Sequence, residues 1–136
     1  MTTAHTTAPT WLIDTYADVD GQDLDALLLR FAPEAELIFA NSPAAVGRDA
    51  IRETLTQFWG TIGGLRHEFR ALAETDRNGL AVEGTCHYRT HGGAQVPLPV
   101  VTMIDRDDHG LITSMRIYID SAPLFAQIGA ESSAQQ

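Results

Sequence analysis

Apolar residues along the first half of the chain recur at helical intervals. Trp11, Leu12, Tyr16 and Val19 mark one face, and Thr10 stands where an N-cap belongs. The spacing predicts a helix over 10–20, broken at Gly21. Leu24, Leu27, Leu28 and Phe31 predict a second helix over 23–31, capped by Asp23 and ended by Pro33. Glu36–Ala40 reads as a short strand, and Asn41-Ser42-Pro43 as a turn. Gly47-Arg48-Asp49 opens a third helix that carries Ile51, Leu55, Phe58 and Trp59 inward. Gly60, Gly63 and Gly64 close it.

Beyond Gly64 the period changes from helical to alternating. Leu65, His67, Phe69 and Ala71 share one face of a strand, and Arg66, Glu68 and Arg70 share the other. Further strands are predicted over 80–90, 96–106 and 111–120, with turns at Asp76–Gly79, Gly92-Gly93 and Asp107–Gly110. Pro123 opens a short closing helix over 121–129. The small polar ends, residues 1–10 and 130–136, read as loose. Three helices followed by long antiparallel strands make an α+β domain over 11–129. Such a sheet must bury one face, so it is expected to curl around the helices as a cone with a cavity at its open end.

The length of 136 residues suits one domain, and 44% hydrophobic residues supply a core. The net charge is −9, and all nine basic residues are Arg. No basic cluster is present, so neither nucleic acid nor an anionic membrane is an expected partner. Cys86 stands alone, which excludes an internal disulfide. No basic segment precedes an apolar run near Met1, so a cytoplasmic location is expected.

Several short stretches match a known family in order and spacing. They are Asp23-Leu24-Asp25-Ala26-Leu27 with Phe31-Ala32-Pro33-Glu34-Ala35, then Gly47-Arg48-Asp49-Ala50-Ile51, then Gly64-Leu65-Arg66-His67. The last is Arg116-Ile117-Tyr118-Ile119-Asp120 with Pro123-Leu124-Phe125. Over residues 11–129 the chain resembles SnoaL-like domains of the nuclear transport factor 2-like superfamily, whose relatives include SnoaL polyketide cyclases, limonene-epoxide hydrolases and ketosteroid isomerases. The resemblance implies a cone-shaped barrel: a curved, mostly antiparallel sheet wrapped around three N-terminal helices. It also implies a homodimer through the sheet, for which Tyr88, Val101, Met103 and Tyr118 would supply an outward apolar face.

Residue by residue, the resemblance takes chemistry away. The acid that the cyclases and epoxide hydrolases carry on the last strand falls at Ile117. The hydrolases' Arg and second Asp fall at Thr85 and His87, and their Tyr and Asn at Phe39 and Asn41. The isomerases' basic Asp also falls near Phe39, and their oxyanion-binding Asp near Val101 or Thr102. Only Asn41 survives, so the familiar acid-based mechanisms are rejected.

Histidine is what remains for proton transfer. His67 lies on the apolar face of its strand and is the first catalytic candidate; a core His satisfied by a neighbour is the competing reading. His87 is the second. The resemblance turns it into the cavity, whereas alternation sets it opposite Cys86 and Tyr88, with Glu83, Thr85 and Arg89. Tyr16 and Asn41 could orient a substrate oxygen. Val19, Phe39, Phe58, Trp59, Ile62, Leu98, Val100, Met115, Ile117 and Ile119 are the expected apolar lining, joined by Thr85. Asp120 is read as a cap for the last helix.

No metal site is expected. His87 and His91 stand roughly 13 Å apart along a strand, and Asp105, Asp107 and Asp108 read as solvated turn acids. No dinucleotide or phosphate loop is present, and no cofactor is expected. The sequence leaves two readings open. One is an enzyme acting on a small hydrophobic, oxygen-bearing molecule by cyclisation, isomerisation or water addition. The other is a non-catalytic domain of the same fold that binds a small molecule or dimerises.

Overall fold

The computed structural model describes residues 7–134. The elements run α1 (Thr10–Asp20), α2 (Leu24–Leu28), β1 (Phe31–Phe39), β2 (Ala45–Val46), α3 (Arg48–Gly60), β3 (Gly64–Glu74), β4 (Leu80–Arg89), β5 (Gln95–Arg106), β6 (Ile112–Ile119) and α4 (Ala122–Ala134). Six strands form one open sheet in the order β2-β1-β6-β5-β4-β3. The β3–β6 meander is antiparallel, while β1 runs parallel to β6. The result is a curved, mixed α+β sheet with α1, α2 and α3 on its concave side.

The first helix begins after Pro9, which makes no side-chain cap; Thr15 instead bonds back to the Trp11 carbonyl. Leu12, Thr15 and Tyr16 are its buried positions. Asp23 caps α2 by accepting from the Ala26 N–H. That helix is shorter than its apolar spacing suggests, because Phe31 already belongs to β1. Phe31 is fully buried and pairs with Ile112 of β6, so sheet pairing overrides the helical pattern at this position. Pro33 sits inside β1 at an irregularity in register between Phe31 and Glu36, where a missing N–H is tolerated. The two-residue strand β2 pairs with β1 through Glu36–Val46 and Leu37–Ala45 and has no periodic signal of its own.

A bulge lies between Phe69 and Ala71 of β3. Gly84 faces it on β4, and a Cβ there would stand 2.1 Å from the Glu68 carbonyl oxygen. The bulge is thus built on the absence of a side chain. Asp105, expected in a solvated turn, is instead a buried β5 residue. Arg116 of β6 meets its carboxylate at 2.9 Å and Arg77 lies at 3.8 Å. Arg116 also bonds Ser114, which bonds Glu36, so one polar network ties β1, β5 and β6.

The C-terminal helix runs five residues past the expected end, into the stretch read as loose. Glu131 accounts for this: it accepts from the Thr90 hydroxyl (2.6 Å), the Gly92 N–H (3.1 Å) and Gln127. Asp120 accepts from the Ala122 N–H and caps the helix start as expected. At the other end, residues 1–6 of the expected loose stretch lie outside the described residues. Ala8 packs on the core and Pro9 leads into α1. No described helix is long and apolar enough to cross a membrane.

Candidate functional site

Strand alternation points Leu65, His67 and Phe69 of β3 toward the helices, and Tyr16 of α1 packs against them. The Tyr16 ring meets His67 edge-on at 4.7 Å and Phe69 at 5.0 Å. One helical turn beyond Tyr16, on the same face, stands Asp20. Its two carboxylate oxygens take two donors from a single residue. One accepts from the His67 backbone N–H at 2.9 Å, and the other meets the imidazole Nδ1 at 2.7 Å. A carboxylate oxygen accepts, so Nδ1–H is the donor in this contact and Nε2 is left for another partner. The His67 side chain is 13% exposed and that of Asp20 26%.

His67 forms part of the wall of a chamber at the centre of the cone. Tyr16, Val19, Phe39, Phe58, Trp59, Tyr88, Val100, Thr102, Met115 and Ile117 contribute to the same wall. The chamber holds about 50 Å³, where a benzene-sized void takes about 150 Å³. Side chains therefore fill most of the hollow expected from the sequence. Its lining residues carry the His67 imidazole, the hydroxyls of Tyr16, Tyr88 and Thr102, and the Trp59 indole N–H. Burial pushes the Tyr16 phenol up to about 12, partly offset by a hydrogen bond to Thr102. Burial also drives Tyr88 far above its ordinary range, and a hydrogen bond to Cys86 adds to this. Both phenols stay protonated at physiological pH and can donate. The Cys86 thiol is pushed up to about 12, chiefly by burial, which makes it an inert core group.

The expected site residues separate into four places. Tyr16, Phe39, Phe58, Trp59, His67, Val100, Met115 and Ile117 come together at the chamber. Asn41 and Ile119 stand outside it on a larger open cleft of about 930 Å³ that shares Leu37, Phe39, Leu55 and Phe58 with the chamber. Ile62 and Leu98 are buried in the core away from both spaces.

His87 and Thr85 correct the expectation drawn from the resemblance. In the β3–β4 register Arg66 pairs with His87 and Glu68 with Thr85, so both lie on the convex face. His87 Nε2 bonds Glu68 at 3.0 Å and borders a separate polar recess with Asp20, Arg66 and Arg89. The bulge that could have rotated His87 inward lies further along β3, past Glu68. Tyr88, assigned to the outward apolar face, is buried and borders the chamber. Val101 and Tyr118 do face outward.

Asp20, Thr102 and Tyr88 were not among the expected site residues. Asp20 is 47 positions from His67, and its one signal was its helical spacing from inward-facing Tyr16. Thr102 was marked in the sequence only as a position, with Val101, where the isomerases' oxyanion-binding Asp falls. Among the described residues no group of three or more His, Cys, Asp or Glu is placed to hold a metal ion.

Solved structures share this architecture. The chain is similar to a protein of ketosteroid isomerase-like fold from Catenulispora acidiphila in complex with trimethylamine. That match has 19% identity, covers 90% of this chain and 95% of that one, and has a TM-score of 0.78. It is similar to TerC co-crystallised with polyporic acid (22% identity, 86% and 94% covered, TM-score 0.75). It is also similar to SalBIII, an epoxide hydrolase/cyclase-like enzyme with a role in pyran ring formation in the polyether salinomycin (19% identity, 81% and 88% covered, TM-score 0.70). At these identities the likeness establishes the fold. No curated protein matches the sequence. The profile of the SnoaL-like domain matches residues 13–115. With that match and the shared cone, the chain belongs to the SnoaL-like domain family.

Proposed function

We propose that this protein is a cofactor-independent enzyme of SnoaL-like type that moves a proton on a small hydrophobic substrate bearing a carbonyl oxygen. The observation that carries the reading is the Asp20–His67 pair, with its ring on the wall of an apolar chamber. Asp20 holds the imidazole in the tautomer whose Nε2 accepts a proton. In the proposed step Nε2 takes a proton from the carbon next to the carbonyl. The C–H electron pair becomes the enolate π bond, and the carbonyl oxygen gains the charge. A neutral buried phenol, Tyr16 with Thr102 beside it, donates to that oxygen. Returning the proton to another carbon completes an isomerisation. Attack of the enolate carbon on a second carbonyl of the same molecule closes a ring; the C=O π pair moves to that oxygen, which takes the proton back from Nε2.

The reading makes His67 the base and leaves His87 without a part. The test needs no natural substrate. Protein is incubated in heavy water with small ketones, and deuterium entry next to the carbonyl is followed by NMR. The protein is expected to accelerate exchange, His67→Ala to abolish the acceleration, and Asp20→Asn to lower it about 10- to 100-fold. Exchange at the buffer rate, or an unchanged rate in His67→Ala, overturns the reading. The small chamber volume favours a second reading, a domain that binds a small molecule without changing it. Stoichiometric binding with no exchange would be its signature.

A further inference from the structure

The chain has no run of basic residues, but the pairing of β3 with β4 assembles a basic site. Arg66 of β3 lies opposite His87 of β4, and Gly64 lies opposite Arg89. Gln95 of β5 pairs with Arg89 in turn. These residues border a recess of about 380 Å³, joined by Asp20 and Gln22 at the end of α1. Leu65 is the one residue that borders both the recess and the chamber. The chain carries a net charge of −9, yet two guanidiniums stand here without an acid. Arg30, Arg52, Arg77 and Arg116 meet carboxylates at 2.6–3.8 Å, and among the described residues Arg66 and Arg89 form no such pair. The neighbouring acids are already engaged. The two Asp20 oxygens serve the two N–H groups of His67, and Glu68 serves His87.

The backbone around the recess is shaped for these side chains. The Arg89 guanidinium donates to the Gly63 carbonyl and lies over Gly64. A Cβ on Gly64 would stand 2.8 Å from a terminal guanidinium nitrogen, so a side chain there would push Arg89 aside. Three described residues with a Cβ hold a left-handed φ, a conformation adopted at a cost. Asn78 (54°) sits in a turn, where Asn tolerates it, and Ala40 (52°) follows the end of β1. Gln22 (53°) is the third. Its N–H bonds the Val19 carbonyl at 2.9 Å, and the sharp exit from α1 sets it on the recess.

We propose that this recess binds a small phosphate monoester, with the phosphate between Arg66 and Arg89 and a polar body against Gln22 and Gln95. Two guanidiniums without acid partners match the charge of about −1.5 to −2 that a phosphate monoester carries at pH 7. The bordering donors come from β3, β4, β5 and the end of α1. A tetrahedral phosphate accepts from several such directions, and each guanidinium can take two of its oxygens. A planar carboxylate carries one charge and engages one guanidinium in this way. The recess is larger than a phosphate group, which leaves room for the body of a small ester but not for a polymer. His67 does not border the recess, so the proposal stands apart from the reading of His67 as a base.

The test is an NMR titration of the whole protein at fixed ionic strength with glycerol 3-phosphate, inorganic phosphate and acetate. The signals followed are the Gly64 backbone N–H, the Gln22 and Gln95 side-chain amides and the His87 ring. Glycerol 3-phosphate is expected to shift them saturably, to bind about tenfold more tightly than acetate, and to bind more tightly than inorganic phosphate. Arg66 is exposed, so Arg66→Gln leaves the fold intact, and it is expected to lower affinity about tenfold. Arg66→Lys is expected to recover part of that loss, and Gly64→Ala to weaken binding by displacing Arg89. Arg70→Gln removes the same charge from β3 outside the recess and is expected to leave affinity unchanged. Equal losses in Arg66→Gln and Arg70→Gln would mean attraction to diffuse charge and overturn the site. Acetate binding as tightly as the phosphates overturns it as well, as does an absence of saturable shifts. Tighter binding of inorganic phosphate than of glycerol 3-phosphate overturns the assignment to an ester.

Discussion

Asp20 meets one histidine with both carboxylate oxygens, and this local arrangement decides the chemistry of the ring. With Asp20→Ala the ring loses the acceptor that fixes its tautomer. Nitrogen NMR is expected to change from a single Nδ1–H form to a mixture, and urea unfolding to show a loss of about 1–2 kcal/mol. Ala40 makes a second prediction at this scale. Ala40→Gly removes the left-handed penalty and is expected to raise stability by about 0.5–1 kcal/mol in the same assay. The two histidines show what single-residue patterning can and cannot carry. Alternation alone turns His67 inward and His87 outward, which is where they lie. The family correspondence pulled His87 inward because it aligned types of residue without tracking which face of β4 each occupies. Asp20 was hidden for another reason: a pairing across 47 residues leaves no mark on local periodicity.

Among the elements, the β3–β6 meander was legible because each strand alternates and each turn carries its Gly or Asp. The end of α2 and the start of β1 were not, since Phe31 satisfies a helix stripe and a strand face equally well until Ile112 lies beside it. The last helix was underestimated because its anchor is polar. Leu124 is its one buried residue, and Glu131 ties its far end to the turn after β4. Hydrogen bonds from Gln127, Thr90 and the Gly92 N–H hold the Glu131 carboxyl below its ordinary value of 4.5. A lowered folded-state value means the tie is fully present above about pH 4.5 and weakens as pH falls through the folded value. Hydrogen exchange over residues 122–134 is therefore expected to speed up on acidification below that range. Glu131→Gln should show the faster exchange already at neutral pH. Arg116 is the matching test for the sheet. Arg116→Met leaves the buried Asp105 carboxylate with only distant Arg77, and is expected to cost about 2–3 kcal/mol by urea unfolding. This is less than the about 3–5 kcal/mol typical of a broken buried pair, because the guanidinium is partly exposed.

At the scale of the molecule, the α+β class and the cone followed from helices preceding strands, whereas the filling of the cone did not. Phe39, Phe58, Trp59 and Met115 suit a ligand pocket and a packed core equally, and only their placement shows that they leave 50 Å³. The convex face still carries exposed Tyr118 and Val101. Two copies are expected to pair there, and sedimentation at micromolar concentration should return the mass of a dimer. The parallel partnership of β1 with β6 has a consequence for the order of assembly. Phe39 pairs with Ile117 across 78 positions, more than half of the chain, while β3 to β6 need only short hairpins. Loop closure delays the distant pairing, so the meander can zip up before β1 docks. In stopped-flow measurements Leu37→Ala is then expected to accelerate unfolding and barely slow refolding. Chamber and cleft alike take one wall from β1, so the binding space would come into being only with the final closure of the sheet.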